Sequence, residues 1–423
     1  MRRSSPPGPW RPGRSRLAQG LNHRLTRLTV RNFRTLTDTK LPLGPLTVMV
    51  GPNAAGKSNV LHALEFLGDV SRKGIEEAVE KRGGFDVLAF RGGPKPVSRF
   101  TVGVEGIWSD FASEEAPDRY ELSVSQRRLP EPRHREHVLS RQERLVQHPT
   151  TQAEMSAELA SDSIVVHSPS ETGRPEATAS IGRMGSALHH GLVPPLPDGS
   201  PSARAIEEVR RHLSEIRVFD PDVRAARKPS AVSESAPPLK DDASNLADFL
   251  LSLREHRDTW ELLLEDVRAV VPQIRNIHVP LLAGSSRAEV QLEEESLRGR
   301  TRLSDASWGT VRVLCMLAII HDPNPPLLTC IEEIDHGLHP HALTLLAVRL
   351  REASSRGQFL VTTHSPVLIN ELEPEEFVVC ERDPDGASRI PALTTSEVQQ
   401  VIDASEGMPM GELWFANTLG GGL

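Results

Sequence analysis

The stretch LTVMVGPNAAGKSNVLHAL, residues 46–64, decides the fold of this chain. Its central part, Gly51 to Ser58, fits the pattern G-x-x-x-x-G-K-[ST] without a gap. An apolar run typical of a strand precedes the pattern, and apolar residues at helical spacing follow it. Because the pattern requires this strand, loop and helix context, the stretch predicts a phosphate-binding loop, or P-loop, inside an α/β fold.

Each residue type in this loop has a chemical reason. Glycines let backbone N–H groups wrap phosphates, Lys57 neutralises the charge of the β- and γ-phosphates, and the Ser58 hydroxyl ligates Mg²⁺. The following helix presents its positive end to the anion. We therefore expect ATP and Mg²⁺ here, and a glycine-rich turn without nucleotide is the disfavoured alternative. The predicted nucleotide-binding residues of the loop are Gly51, Pro52, Asn53, Ala54, Ala55, Gly56, Lys57, Ser58 and Asn59.

A second apolar run, LLTCI at 327–331, ends in the carboxylates Glu332 and Glu333. A strand that ends in this way places acids at the carboxyl edge of the sheet, where ligands of α/β folds bind. Glu332 would hold Mg²⁺ through water, and Glu333 would act as general base on the attacking water. The alternative is a strand that ends in a solvated acidic turn, and the P-loop makes that interpretation less favoured.

A third apolar run, FLVTT at 359–363, is followed by His364. A histidine at this position can reach a γ-phosphate, although an isolated histidine of this kind is more often an ordinary strand-end residue. The predicted catalytic residues are therefore Glu333, His364 and Lys57, and the predicted metal ligands are Ser58 and Glu332.

Composition limits the kind of protein. With 423 residues, 38% hydrophobic and 25% charged, the chain suits a globular protein of two or three domain-sized units. A net charge of −8 does not attract nucleic acid, so contact with DNA would need a local basic patch. The three cysteines lie in apolar stretches. No apolar run is long enough to form a membrane helix. The basic first 24 residues lack the apolar core of a secretory signal, so we expect a cytoplasmic protein.

Two segments contain charge patterns that could be mistaken for binding sites. The basic run from Arg127 to His148 is mixed with glutamates and lacks aromatics, which indicates a solvated face more than a DNA-binding surface. The segment ERDPDG, 381–386, resembles a metal-binding Asp-x-Asp pattern. Its Pro-Asp-Gly sequence between two apolar runs predicts the turn of a β-hairpin instead.

The motifs together resemble a known family. IEEIDHGLHP, 331–340, followed by VTTHSP, 361–366, looks like the ABC-type ATPases of the SMC/RecF/OLD group, in particular their single-polypeptide branch. NFRTL at 32–36 and GELWFANTLGGG at 411–422 also look like that branch. The resemblance covers about 25–107 and 205–423. About 59 residues follow His364, too few for the Toprim nuclease domain of OLD relatives, so we expect a branch without it.

The resemblance implies an α/β P-loop NTPase fold of the ABC head type, with a mixed or parallel central sheet and an antiparallel β subdomain. It implies roles for Glu332 as the Walker B acid, for Glu333 as the catalytic glutamate and for His364 as the switch histidine. It also implies that Asp335 begins the dimer-facing loop. Alternating strands and helices in the last block agree with a parallel sheet. The predicted parts are a disordered basic tail (1–24), a first ATPase lobe (25–126), a variable, peripheral and partly disordered insertion (127–203), a helical subdomain (204–300) and a second ATPase lobe (301–423).

Members of this group close two heads around two nucleotides, and the signature motif of each head covers the P-loop of the other. Here the usual L-S-D-G-T is replaced by LSDASWGT, 303–310. Aligning Ser307-Trp308-Gly309-Thr310 keeps the following helix in step and puts Trp in place of Asp. Aligning Leu303-Ser304-Asp305 needs three inserted residues. We prefer the first register, in which helix amides from Gly309 face the partner's γ-phosphate, and a simple capped helix start is the alternative.

Two functions remain open. The first is an ATP-hydrolysing head that acts as an ATP-gated dimer in DNA repair or in antiviral defence against mobile DNA. The second is a slow-turnover ATP switch or scaffold that recruits a separate effector, a nuclease or a toxin. A transporter subunit fits badly, because Lys57 and Glu332 lie too far apart in the sequence for a compact transporter head. The expected partners are a second copy of the chain and such an effector, without a membrane.

Overall fold

A computed structural model describes residues 23–109, 112–128, 137–147, 155–160, 163–167, 177–180, 184–186, 188 and 201–420. The predicted disordered tail, 1–24, lies almost wholly outside the described residues. The predicted disorder within 127–203 also falls largely outside them. Within the described ranges, no helix has both the length and the apolar character needed to cross a membrane.

The described residues form twenty strands and twelve α-helices, which are numbered here in chain order. The strands are β1 Arg24–Phe33, β2 Leu36–Pro42, β3 Leu46–Val50, β4 Arg99–Ile107, β5 Asp118–Arg128, β6 His137–Gln147, β7 Met155–Ala160, β8 Ser163–His167, β9 Ala177–Ser180, β10 Ile216–Phe219, β11 Ser230–Ala231, β12 Ile274–His278, β13 Arg287–Ala288, β14 Gln291–Glu294, β15 Arg300–Arg302, β16 Leu328–Ile331, β17 Gln358–Thr363, β18 Phe377–Val379, β19 Glu381–Arg382 and β20 Ser388–Arg389. The helices are α1 Lys57–Lys73, α2 Ile75–Glu80, α3 Phe85–Leu88, α4 Pro201–Ser214, α5 Val223–Ala226, α6 Leu246–Leu253, α7 Arg257–Val270, α8 Trp308–Ile320, α9 Pro340–Ala353, α10 Pro366–Ile369, α11 Thr395–Ala404 and α12 Met410–Phe415.

The central sheet has five parallel strands in the order β10-β16-β17-β3-β18. Every residue of β3, β16 and β17 is buried, which explains why these strands appear in the sequence as continuous apolar runs rather than alternating ones. Because parallel strands end at the same edge, the segments that follow β3, β16 and β17 meet there. This edge carries the P-loop, the acidic pair and His364.

A second, ten-stranded sheet runs in the order β19-β20-β2-β1-β4-β5-β6-β7-β8-β9. All its pairs are antiparallel except β2 with β20, which fits the predicted antiparallel subdomain. Strand β5 runs across residue 127, where we placed the start of the insertion, and β6 to β9 continue the same sheet. Side chains alternate along β6: Arg141 and Glu143 are buried, whereas Gln142 and Arg144 are exposed. The prediction of a solvated face over this run is therefore wrong for the inner face of β6.

The region 204–300 is more mixed than the helical subdomain predicted for it. The stretch 243–270 forms two helices, α6 and α7, and His256 is the N-cap residue of α7. The region also contains a three-stranded sheet, β12-β14-β15, and strand β10, which pairs with β16 as an edge of the central sheet. Strand β10 has only four residues, IRVF, too few for its alternation to be distinguished from a helix end.

A buried carboxylate joins three helices behind the central sheet. Asp266 of α7 is 1% exposed and accepts hydrogen bonds from His321 Nε2 (2.7 Å), just after α8, and from Arg349 Nε (2.9 Å) of α9. Burial alone would raise the pKa of Asp266. The hydrogen bonds from His321 and Arg349 outweigh burial and hold this pKa below its usual value.

We expect Asp266→Ala to lower the free energy of unfolding by about 3 kcal/mol at neutral pH, because it removes the acceptor of the buried His321 Nε2 and of Arg349 Nε. A carboxylate with a depressed pKa stabilises the fold above its unfolded pKa, near 3.9, and loses that effect as pH falls through the folded pKa. The difference in the free energy of unfolding between the parent and Asp266→Ala should therefore decrease in acid. Urea unfolding between about pH 3 and 7 measures it. Glu265→Gln, an exposed neighbour on α7, is the control, and equal effects of both changes at neutral pH would contradict this account.

Candidate functional site

The P-loop connects the end of β3 to the first residue of α1 and is closely surrounded. A Cβ on Gly51 would lie 2.2 Å from the carbonyl oxygen of Cys380. A Cβ on Gly56, whose φ is 105°, would lie 2.1 Å from Ser388 Oγ. Both glycines are therefore required by close approach, and the loop is held between the carboxyl edge of the central sheet and strand β20.

The side chain of Lys57 lies against the backbone at the start of the P-loop. Its Nζ donates to the carbonyl oxygens of Gly51 (2.7 Å) and Pro52 (3.0 Å), and the residue is 6% exposed. Burial lowers the pKa of Lys57, and nearby acidic groups, among them Glu333 and Asp335, partly offset this effect. The ammonium group is thus a largely desolvated cation, which interacts strongly with an anion that enters the loop.

Ser58 and Glu332 are brought together from opposite ends of the sequence. The Ser58 hydroxyl of α1 hydrogen-bonds to Oε1 of Glu332, directly after β16. A hydroxyl and a carboxylate are hard oxygen ligands of the kind that Mg²⁺ prefers. This pair therefore fits the predicted metal, and these are the two residues that would hold it.

Glu333 has an unusual backbone. Its φ is 45°, a left-handed value that non-glycine residues rarely adopt, and its N–H donates to Thr362 Oγ1 at 2.8 Å. Its side chain is 48% exposed. Glu333 lines a cavity of about 470 Å³ together with residues of the P-loop, Thr362 and His364. The left-handed turn thus separates the two acids: Glu332 contacts Ser58, and Glu333 lines the cavity.

His364 and Asp335 form one turn beside this cavity. Asp335 Oδ1 accepts hydrogen bonds from Thr363 Oγ1 (2.6 Å) and from the His364 N–H (3.2 Å). Burial lowers the pKa of the half-buried His364, and the charge of Lys57 lowers it further. The imidazole is therefore neutral at pH 7, with one ring N–H available as a donor. Asp335 fixes the backbone at His364 and does not line the cavity.

A second cavity, of about 480 Å³, adjoins the first, and both are lined by Thr35, Asn59 and Arg382. Its other lining residues include Arg34, Phe90 and Arg91. The hairpin predicted at 381–386 is confirmed, since β19 and β20 pair across a turn in which Gly386 has a φ of 86°. We missed its role at the site: Arg382 Nη1 donates to the carbonyl oxygen of Ala54 at 3.3 Å.

The proposed signature lies apart from these cavities. Ser307 caps α8, and its Oγ accepts from the Thr310 N–H at 3.1 Å. The helix begins at Trp308, one residue before Gly309. The described residues that line the two cavities do not include Ser307 or Gly309. Trp308 packs against the loop after Glu333: its ring centroid lies 5.2 Å from that of His336.

A parallel sheet with a P-loop after one strand and two acids after another defines a P-loop NTPase. Its fold is that of an ABC-type head, as solved structures show. The chain matches an Smc head bound to the C-winged helix domain of ScpA with a TM-score of 0.55 and 16% identity, over 89% of this chain and 99% of that one. An Smc head domain with an extended coiled coil, derived from Pyrococcus furiosus and bound to the C-terminal domain of ScpA, gives 0.53 and 14%, over 91% and 100%.

Two family models match the chain in separate segments. Residues 24–105 match "AAA ATPase domain", and residues 201–370 match "AAA domain, putative AbiEii toxin, Type IV TA system". An OLD nuclease of Thermus scotoductus is 62% identical over 47 residues, 11% of this chain and 9% of that protein. A DNA replication and repair protein RecF of Magnetococcus marinus is 50% identical over 44 residues, 10% of this chain and 12% of that protein.

These findings agree on one group: in its matched segments and in its fold, the chain is similar to the ABC-type ATPases of the SMC/RecF/OLD-like group. The ABC-type head fold and the SMC/RecF/OLD-like group predicted from the sequence are confirmed, whereas the expected absence of a Toprim domain stays a prediction. The matched segments cover only about a tenth of the length of the two curated relatives. The likeness to the Smc heads establishes the fold alone.

Proposed function

We propose that this chain binds ATP with Mg²⁺ at its P-loop and hydrolyses it, and that two copies close around two nucleotides. One observation carries the proposal. The Ser58–Glu332 pair lies beside a cavity lined by Lys57, Glu333 and His364, so that groups for metal binding, charge neutralisation and proton transfer come together at one sheet edge.

The two adjoining cavities suggest how a nucleotide lies. The phosphates would occupy the cavity of the P-loop, where backbone N–H groups and Lys57 carry positive charge. The base and ribose would occupy the cavity with Phe90 and Arg34, which offer an aromatic ring and a guanidinium group. Arg382, which lines both cavities, would lie beside the phosphates nearest the ribose.

The residues support hydrolysis in one step. Glu333 takes a proton from water while the water oxygen bonds to the γ-phosphorus, and the bond from that phosphorus to the β–γ bridging oxygen breaks. ADP leaves with the electron pair, and Lys57 neutralises its charge. His364 donates its ring N–H to a γ-phosphate oxygen. Bound Mg²⁺, held by Ser58 and Glu332, would neutralise charge on the phosphate oxygens.

The exposed end of α8 supports a dimer. Ser307 and Trp308 are exposed at the start of this helix, and so are His336 and Gly337 in the loop after Glu333. Because Trp308 packs against His336, the two segments form one continuous surface outside the cavity. A second copy whose P-loop faced this surface would place its γ-phosphate at the α8 amides. Work in DNA repair or in defence against mobile DNA is the role that we propose, supported by the names of the OLD and RecF relatives.

The metal pair offers a direct test of this site. We expect Ser58→Ala to raise the Mg²⁺ concentration needed for half-maximal phosphate release at least about tenfold, since the direct protein ligand proposed for the metal is lost. Titration of Mg²⁺ at saturating ATP measures this value. Ser354→Ala, at the end of α9 and outside both cavities, should leave it unchanged. An unaltered Mg²⁺ requirement in Ser58→Ala would contradict the metal assignment. A parent that binds Mg²⁺-ATP without turnover would favour the alternative function, an ATP switch that recruits a separate effector.

A further inference from the structure

One buried arginine contacts both acids of the site through their backbone. Arg312 of α8 is 2% exposed. Its Nη1 donates to the carbonyl oxygen of Pro221 (3.0 Å), and its Nη2 donates to those of Glu332 (3.2 Å) and Glu333 (3.3 Å). The nearest carboxylate in an ion pair with it, that of Asp220, is 3.8 Å away and 74% exposed. At that distance a carboxylate in solvent contributes little, so backbone carbonyls are the main partners of this buried cation.

These bonds fix the backbone of the predicted general base on both sides. The N–H of Glu333 is held by Thr362 Oγ1, and its carbonyl oxygen is held by Arg312. A left-handed residue other than glycine is strained and persists only where its surroundings hold it. The hydrogen bonds from Thr362 and Arg312 supply that restraint, and the direction in which the Glu333 carboxylate leaves the backbone depends on it.

Arg312 also reaches the surface through Trp308. Its guanidinium carbon lies 5.9 Å from the ring centroid of Trp308, which is 38% exposed at the first turn of α8. A Cβ on Gly337 would lie 2.2 Å from this ring, so the indole closely covers the loop after Glu333. Contacts therefore run without a gap from the exposed start of α8, through Trp308 and Arg312, to the backbone of Glu333.

We propose that Arg312 is a positioning residue for ATP hydrolysis, which holds the left-handed backbone of Glu333 and links it to the surface at Trp308. The inference rests on the proposed function, since it assigns a role in the same hydrolysis. A nucleotide of a second copy that contacts the start of α8 acts on Trp308, and Arg312 carries that contact to Glu333. Arginine suits this place because its planar fork serves carbonyls in two directions, whereas the ammonium of lysine is a compact point charge.

The test compares Arg312→Met and Arg312→Lys with the parent, with ATP affinity and kcat measured separately. We expect Arg312→Met to lower kcat at least about tenfold and to leave the Kd for Mg²⁺-ATP within about threefold, since misplacement of a reacting group affects the chemical step. The kcat of Arg312→Lys should lie between that of the parent and that of Arg312→Met. Arg356→Met is the matched control: its Nη2 also donates to a carbonyl, that of Ile320 at 3.0 Å, but it lines neither cavity. It should keep the parental kcat.

A second measurement separates positioning from a general loss of stability. If Arg312 acts through Glu333, then Arg312→Met should slow single-turnover hydrolysis in the parent but have almost no further effect in a Glu333→Gln background. Equal slowing in both backgrounds, a parental kcat, or a parallel loss of ATP affinity would overturn the inference. If Arg312→Met does not fold, Arg312→Lys decides by the same criteria. A parent without Mg²⁺-dependent phosphate release would defeat the proposed function itself, whereas normal turnover in the Arg312 variants would defeat only this inference.

Discussion

Lys57→Ala should weaken ATP binding by about 100-fold or more. The Lys57 ammonium is buried at the centre of the loop and bonds only to carbonyl oxygens of Gly51 and Pro52 among the contacts described, so it is ready to turn to phosphate oxygens. Charged hydrogen bonds are worth about 1.5–3 kcal/mol each, and two of them account for this loss. Without the cation, Glu332 and Glu333 would also repel the phosphates.

Equilibrium binding of Mg²⁺-ATP at fixed ionic strength measures the effect. Lys73→Ala is the matched control, because Lys73 lies at the other end of α1, is exposed, and pairs with Glu77 at 3.1 Å. The control should bind ATP with parental affinity. If Lys57→Ala bound ATP with parental affinity, the P-loop would not be the phosphate-binding site. The second cavity would then have no phosphate site beside it.

Glu333→Gln should slow hydrolysis by about 1,000-fold and leave ATP binding intact. General bases contribute about 10²- to 10⁴-fold, and an amide of the same size cannot accept the proton of the attacking water. The hydrogen bonds of the Glu333 backbone to Thr362 and Arg312 do not involve the carboxylate, so the loop should keep its shape. With nucleotide retained, the variant should accumulate as an ATP-bound dimer.

Single-turnover hydrolysis and light scattering with and without Mg²⁺-ATP measure the two effects. Glu375→Gln, an exposed residue outside both cavities, should hydrolyse ATP at the parental rate and should not accumulate as a dimer. If Glu333→Gln kept the parental rate, another group would be the base. If it lost hydrolysis but stayed monomeric in ATP, the proposal of an ATP-gated dimer would fail while that of hydrolysis survived.

Much of the fold and site could be predicted because the relevant patterns are local. The apolar runs before Gly51, Glu332 and His364 are strands buried on both faces, and the sequence shows this without knowledge of their neighbours. Their shared edge follows from the parallel arrangement alone.

Other features depend on contacts between distant segments and were missed. Arg382 reaches the P-loop because the hairpin that carries it is joined to β2 through β20. The sequence of this hairpin predicted only a turn. The buried face of β6 was missed because its alternation of buried and exposed residues includes Arg141 and Glu143, which look solvated by composition. No sequence pattern pointed to Arg312, and only the fold shows that its guanidinium reaches the backbone of Glu333.

The most direct test of the central claim is a crystal structure of Glu333→Gln grown with saturating Mg²⁺-ATP. The account predicts triphosphate enclosed by the loop from Gly51 to Ser58, Lys57 turned to the phosphates, and a metal ion at Ser58 and Glu332. It also predicts Ser307 and Gly309 of a second copy against the γ-phosphate. Nucleotide bound elsewhere, or a loop without nucleotide in which Lys57 still contacts Gly51 and Pro52 at saturating ATP, would contradict it.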